Sequence, residues 1–225
     1  MALLKNQPLT PNCEEIEKVL LTLAKQKGAS TMLHRLGTKY DAFKVLISTI
    51  LSARARDEVT EVISEELFKH YPTAQKLALA KPKEIIQIIR KIGFYNNKAK
   101  NIISASQMVV EKFNGKVPDT LEQLIEIPGV GRKVANCVLV YVYKQDAIPV
   151  DTHVHRIANR LGWVKTKTPQ ETELALEKII PKKYWQHINE ALVMHGKTIC
   201  SPISPHCSRC PVFSLCQRHN VTNSR

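Results

Sequence analysis

Apolar residues recur at intervals of three and four along almost the whole chain, a spacing that fits α-helix and little else. Between Glu14 and Lys27 it puts Ile16, Val19, Leu20 and Leu23 on one face, with Gly28 as the stop. Ala42 to Leu51 is apolar enough for a buried helix. Asp57 to His70 repeats the stripe with Val59, Val62, Ile63 and Leu67, and Pro72 closes it. Pro82 suits the first turn of a helix carrying Ile85, Ile86, Ile88 and Ile89, ended by Gly93. Asn97 to Phe113 is amphipathic, with Asn114-Gly115 as the turn after it. Two short helices follow, Asp119 to Glu126 with Leu121, Leu124 and Ile125 inward, then Arg132 to Tyr143, joined by Pro128-Gly129-Val130-Gly131. Asp151 to Leu161, Pro169 to Ile180 and Tyr184 to Ile199 complete the set. Val138 to Tyr143 is rich in β-branched and aromatic residues but continues a helical register, so no segment reads as a strand. The expected class is all-α, and 225 residues suffice for one large domain or two small lobes.

Lys and Arg number 33 against 20 acidic residues, a formal charge of +13 that favours a polyanionic partner, most commonly nucleic acid. No stretch approaches the length of a membrane span, and Met1 to Pro11 lacks the apolar run of a signal peptide, so the expectation is a soluble intracellular protein. In a reducing compartment, clustered cysteines are metal ligands more often than disulfide partners. Four of the six form the run Cys200-x6-Cys207-x2-Cys210-x5-Cys216. Thiolates so spaced converge on one centre, either tetrahedral zinc or a [4Fe-4S] cube. A four-cysteine zinc site usually shows two close CxxC pairs; with only one here, the spread spacing suits the larger cluster better. Cys137, among Val134, Val138 and Val140, reads as core, and Cys13 carries no signal.

The Pro128–Gly131 loop has its own physical logic. Gly129 and Gly131 lack a Cβ, so the backbone turns tightly and comes close to a partner. The amides after them open a helix and form a site for an anion such as a DNA phosphate; the same residues also suit a plain helix–helix turn. Lys133 falls in the first turn of that helix, where the positive helix end and the adjacent Arg132 should depress its pKa and free an amine able to attack carbon. A surface lysine binding phosphate is the alternative. Asp151, before Thr-His-Val-His-Arg, is placed as the N-cap of a helix and is kept ionised by the helix dipole. In a cleft it would stabilise positive charge on a sugar or relay a proton.

Three motifs together resemble endonuclease III, the lysine-bearing branch of the helix-hairpin-helix-GPD DNA glycosylases: Ile127 to Lys133, Val-Asp-Thr-His-Val-His-Arg at 150 to 156, and the cysteine tail. They stand in the family's order, and the resemblance runs from about Tyr40 to Cys216. It implies Lys133 as nucleophile and Asp151 as catalytic aspartate. It also implies Cys200, Cys207, Cys210 and Cys216 as ligands of a [4Fe-4S] cluster, and Gly129, Val130, Gly131 and Arg132 as the DNA-gripping hairpin. The implied fold has two helical lobes, a six-helix barrel with the hairpin over 35–145, and an N/C-terminal domain of 1–34 and 146–225 holding the cluster loop 200–216. The implied activity is removal of oxidised pyrimidines from double-stranded DNA through a lysine Schiff base, followed by β-elimination on the 3′ side of the abasic site. Arg209, between two ligands, and Arg218, beyond the last, would be phosphate contacts. A monomer is expected.

Two positions depart from the family pattern. Where it usually reads Leu-Ser-x-Gln-x-x-Asp, residues 51–57 read Leu-Ser-Ala-Arg-Ala-Arg-Asp, so Arg54 replaces the glutamine that fills the hole left by a flipped base. Phe94 stands at the wedge position, often leucine, where an aromatic ring stacks into the duplex; a core phenylalanine beside Tyr95 is the alternative. His153 and His155 have no assigned role, and Asp57 reads as a helix brace. A monofunctional thymine or adenine mismatch glycosylase is the nearest other reading, opposed by Lys133 and, for the adenine branch, by the chain's end soon after Cys216. A non-enzymatic DNA-binding iron–sulfur regulator is the alternative of another class; it would not need the Lys133–Asp151 pair.

Overall fold

The computed structural model describes residues 11–25 and 30–225. Lys27, Gly28 and nearly all of the Met1 to Pro11 segment, each given a reading above, lie outside them. Among the described residues there is no strand, and the helices in chain order are α1 Cys13–Ala24, α2 Met32–Lys39, α3 Ala42–Ser52, α4 Asp57–His70, α5 Ala74–Ala78, α6 Pro82–Ile89, α7 Tyr95–Glu111, α8 Leu121–Glu126, α9 Arg132–Tyr141, α10 Thr152–Leu161, α11 Pro169–Ile179 and α12 Trp185–Thr198. None of them is long and apolar enough to cross a membrane. The chain divides into two compact units, Thr31–Pro149 and Met1–Ser30 with Val150–Arg225.

Within Thr31–Pro149 the core gathers around α3 and α9. In α3, every residue from Val45 to Leu51 is buried, so the helix is enclosed on all sides, as expected of a segment with few polar groups. Asp41 caps it by accepting from the Lys44 amide at 2.9 Å. α9 is buried from Val134 to Tyr141, with Cys137 in its centre as expected. α2 was not legible as a helix. It has three buried apolar residues, Met32, Leu33 and Leu36, and carries Gly37 inside it. Glycine is needed there by contact rather than by backbone angle, because a Cβ would lie 2.7 Å from the Tyr141 carbonyl oxygen on α9.

Two inward assignments are corrected. Val62 is 67% exposed and Ile125 is 44% exposed. On α4 the buried stripe is Thr60, Ile63, Ser64, Leu67 and Phe68, with two small hydroxyl residues where hydropathy alone puts valines. Thr60 satisfies its hydroxyl locally by donating to the Arg56 carbonyl at 3.0 Å. α8 starts at Leu121 with Thr120 as its N-cap, two residues later than the spacing implied.

In the other unit, α1 and α10 both pack on α12, and α11 packs on α10. Ile16, Val19, Leu20 and Leu23 form the buried face of α1 as the pattern required. Glu17 joins the distant ends of this unit by accepting from the Tyr184 hydroxyl and from Lys183 Nζ.

Gly37→Ala should cost about 1–3 kcal/mol of stability through overpacking against α9. A shift of the urea midpoint toward lower denaturant, with an unchanged slope, is the expected readout.

Candidate active site

The hairpin between α8 and α9 is pinned by three apolar side chains, Leu124, Ile127 and Val130, which are 0%, 1% and 7% exposed. The Val130 amide donates to the Ile127 carbonyl at 3.0 Å and closes the turn. Val130 therefore shapes the hairpin from its inner side. Gly129 sits at φ +82°, a left-handed conformation costly for any residue with a Cβ, and a Cβ there would come within 3.0 Å of Asn101 on α7. Gly131 differs. It has ordinary extended angles, is the N-cap of α9 with no side-chain cap bond, and a Cβ built on it meets nothing within 4 Å. One glycine makes the turn; the other keeps the outer face of the helix start uncovered. The first amides of a helix lack intrahelical acceptors and carry the positive end of its dipole. Arg132 and Lys133, both half-buried, occupy the first turn behind them.

Asp151 is the N-cap of α10, as the sequence indicated. One carboxylate oxygen accepts from the amides of His153 and Val154, each at 2.8 Å. The two unassigned histidines are held by packing. His153 bonds Arg156 Nη2 at 3.1 Å and lies over Gly196 of α12, where a Cβ would collide with its ring. Burial, foremost, holds its pKa below the usual histidine value. His155 joins α10 to α11 through Thr172 Oγ1 at 2.6 Å.

All four cysteines of the tail line one small cavity of about 30 Å³, together with the apolar Ile157, Leu161 and Val212. Among the described residues, no three or more Cys, His, Asp or Glu are gathered closely enough to hold a single metal ion. Burial pushes the Cys210 thiol up to about 11, and the neighbouring cysteines add to the shift; Cys216 is raised for the same first reason. Metal ligation is what replaces such protons. Arg160, only 7% exposed, supplies positive charge beside the sulfurs, with Nη1 at 3.3 Å from Cys200 Sγ. The same guanidinium donates to the carbonyls of Ser201 and Pro202, each at 2.7 Å, fixing the loop entry. Arg209 is exposed, with its nearest partner the Thr198 carbonyl at 3.5 Å, and Arg218 stacks on Phe213 at 4.9 Å.

Arg54 and Phe94 come together. Both are exposed and both are left-handed, at φ +54° and +59°. The Arg54 guanidinium lies 5.7 Å from the centre of the Phe94 ring. At 60% exposure Phe94 is not a core residue. Sequence reasoning missed Lys98, which is buried behind this pair. Its signal was its register on α7, one turn before Ile102 on the buried face.

A family model, the HhH-GPD superfamily of base excision DNA repair proteins, matches residues 47–182. An endonuclease III of Thermotoga maritima is 52% identical over 177 residues, covering 79% of this chain and 83% of that one. The chain belongs to the endonuclease III family. The endonuclease III of a Synechocystis species is 40% identical over 77% of this chain and 80% of that protein. Among solved structures, a trapped endonuclease III–DNA covalent intermediate in an estranged-adenine complex matches with a TM-score of 0.83 and 34% identity, over 92% of this chain and 97% of that one. Membership of the endonuclease III family accords with the hairpin, the capping aspartate and the cysteine cavity described above.

The two hairpin glycines should separate on substitution. Gly129→Ala should cost about 2 kcal/mol or more from backbone strain and the Asn101 contact. Gly131→Ala should cost less than about 1 kcal/mol, the loss of a glycine N-cap alone. Urea unfolding of the two variants beside the parent checks this.

Proposed function

We propose that the chain is a bifunctional DNA glycosylase and abasic-site lyase of base excision repair, acting on double-stranded DNA that carries a damaged or abasic site. One observation carries the reading: a lysine stands on the first turn of a helix entered through an uncapped glycine, in a chain that aligns along 92% of its length with an endonuclease III caught as a covalent DNA intermediate. Oxidised pyrimidines are the substrate class that the family resemblance supports.

A base inside a duplex is out of reach and must be flipped out, at a cost of a few kcal/mol that damage lowers. Lys133, as the neutral amine, attacks C1′ of the deoxyribose; the new C–N bond forms as the bond to the base breaks, and the base leaves with a proton. Opening of the sugar ring leaves an imine on Lys133. That imine acidifies the C2′ proton, and its removal expels the 3′ phosphate oxygen, cutting the strand on that side. Asp151, held as an N-cap, stabilises positive charge on the sugar and relays the lysine proton. The amides of Gly129, Gly131 and Arg132 grip one phosphate, the turn being shaped from inside by Val130. Phe94 enters the stack as a wedge, and Arg54 fills the gap and hydrogen-bonds the orphaned base. Arg209 and Arg218 meet backbone phosphates.

We assign the six-helix barrel to the Thr31–Pro149 unit and the cluster loop to the other. Endonuclease III enzymes carry a [4Fe-4S] cluster. Cys200, Cys207, Cys210 and Cys216 would hold it here, their soft donors set around one cavity with the Arg160 charge beside them. When bound, the cluster supplies a cross-link that ties loop 200–216 into a unit. Monofunctional and non-enzymatic readings are not favoured, because Lys133 is present and the relatives are endonuclease III enzymes.

Lys133→Gln should lose base release and strand cleavage together, by about 10³-fold or more, with duplex binding retained; Asp151→Asn should slow base release by about 10²-fold. A Lys133→Gln protein that still cleaves an oxidised-pyrimidine duplex overturns the lysine mechanism. The purified protein should be brown, with broad visible absorbance that Cys210→Ser weakens. Colourless protein containing zinc contradicts the cluster.

A further inference from the structure

Lys98 has no part in the chemistry above, yet it is 6% exposed and its ammonium makes two hydrogen bonds to main-chain oxygens, 2.8 Å to Leu51 and 2.7 Å to Ala53. Those carbonyls lie at the C-terminal end of α3, where acceptors have no intrahelical donors and the dipole favours a cation. Arg54 follows Ala53 directly. Lys98 itself rides on the first turn of α7, its amide donating to the Phe94 carbonyl at 3.0 Å. The two loops also approach closely elsewhere, since a Cβ on Gly93 would lie 3.8 Å from the Arg54 carbonyl oxygen. One buried cation thus ties the residue before Arg54 to the helix turn that begins with Phe94.

We infer that Lys98 is a positioning residue, whose ammonium clamps the end of α3 to the start of α7 and so presents Arg54 and Phe94 to DNA as one pre-formed stacked pair. The inference rests on the reading that this pair enters the duplex. A buried charge is costly, and a neutral side chain of similar length would fill the same space without that cost. The chain retains the charge where it orders the pair and offers the carbonyls charge-assisted bonds. Burial alone lowers the Lys98 pKa, to about 8; Lys44 on α3, Arg54 and Asp57 beyond its end and Lys100 on α7 add nothing to the shift. Stability and binding therefore run in opposite directions with pH. The folded state releases this proton before the unfolded chain does, so the contribution of Lys98 to stability rises between about pH 8 and the usual lysine value of 10.5, while the clamp weakens.

The test compares Lys98→Met, the double variant Arg54→Ala/Phe94→Ala and the triple variant, on a duplex with one oxidised pyrimidine. Lys98→Met should raise KM about tenfold and leave kcat within about threefold, and should add nothing in the double-variant background. An unchanged KM in Lys98→Met, or a KM penalty that persists undiminished in that background, overturns the inference alone. An unchanged KM in the double variant overturns the reading that the pair meets DNA. Should Lys98→Met not fold, the wild-type pH profile carries the test. KM should rise about fivefold from about pH 7 to about pH 9 as the charge-assisted bonds become neutral ones, and Lys98→Arg should flatten the rise. A flat wild-type profile contradicts the clamp.

Discussion

The hairpin depends on a single backbone conformation. Gly129 holds a left-handed turn against Asn101, and this fixes where α9 begins and which residues fall in its first turn. Leu124, Ile127 and Val130 anchor the turn from inside, while the exposed Gly129 and Gly131 present bare main chain. A helix start built in this way gathers three properties in the five residues from Gly129 to Lys133: room for a close partner, positive potential, and a lysine amine in that field. Asp151 is also placed by a helix end, but through a side chain that satisfies two amides.

Buried and half-buried cations recur as main-chain fasteners. Lys98 holds the end of α3, Arg160 holds the entry to the cysteine loop, and Arg156 reaches the carbonyls of Gly196 and Cys200 at 3.3 and 2.8 Å. Each satisfies carbonyl oxygens that no helix or sheet ladder takes up, in regions where regular structure stops. The cost of desolvating the charge is offset by charge-assisted bonds that a neutral side chain would not make. The excess of basic residues therefore serves two ends. Part of it faces solvent, where a polyanion can find it, and part is enclosed and holds loops in shape.

Most long helices were legible because their stripes of three and four are unbroken, and the Asp151 cap was legible because its residue type and position agree. α2 and α5 were not. With eight and five residues they carry too few apolar positions to show a period, and Gly37 reads as a breaker although its role is close packing on α9. Val62 misled because hydropathy cannot see that Thr60 and Ser64 fill the α4 stripe, and Ile125 because the six residues of α8 bury only Leu124. The four cysteines were legible from spacing, whereas Arg160 beside them was not, since its partners lie some forty residues away in the sequence. The stacking of Arg54 on Phe94 was hidden for the same reason: two separate loops meet only through the fold.

The proposed chemistry turns on one covalent bond between Lys133 and a sugar carbon. Incubating the protein with an abasic-site duplex under borohydride, then digesting and mapping the adduct by mass spectrometry, reads that bond directly. A single reduced cross-link on Lys133 is the predicted result. A cross-link on any other residue, or none from intact protein that binds the duplex, would contradict it.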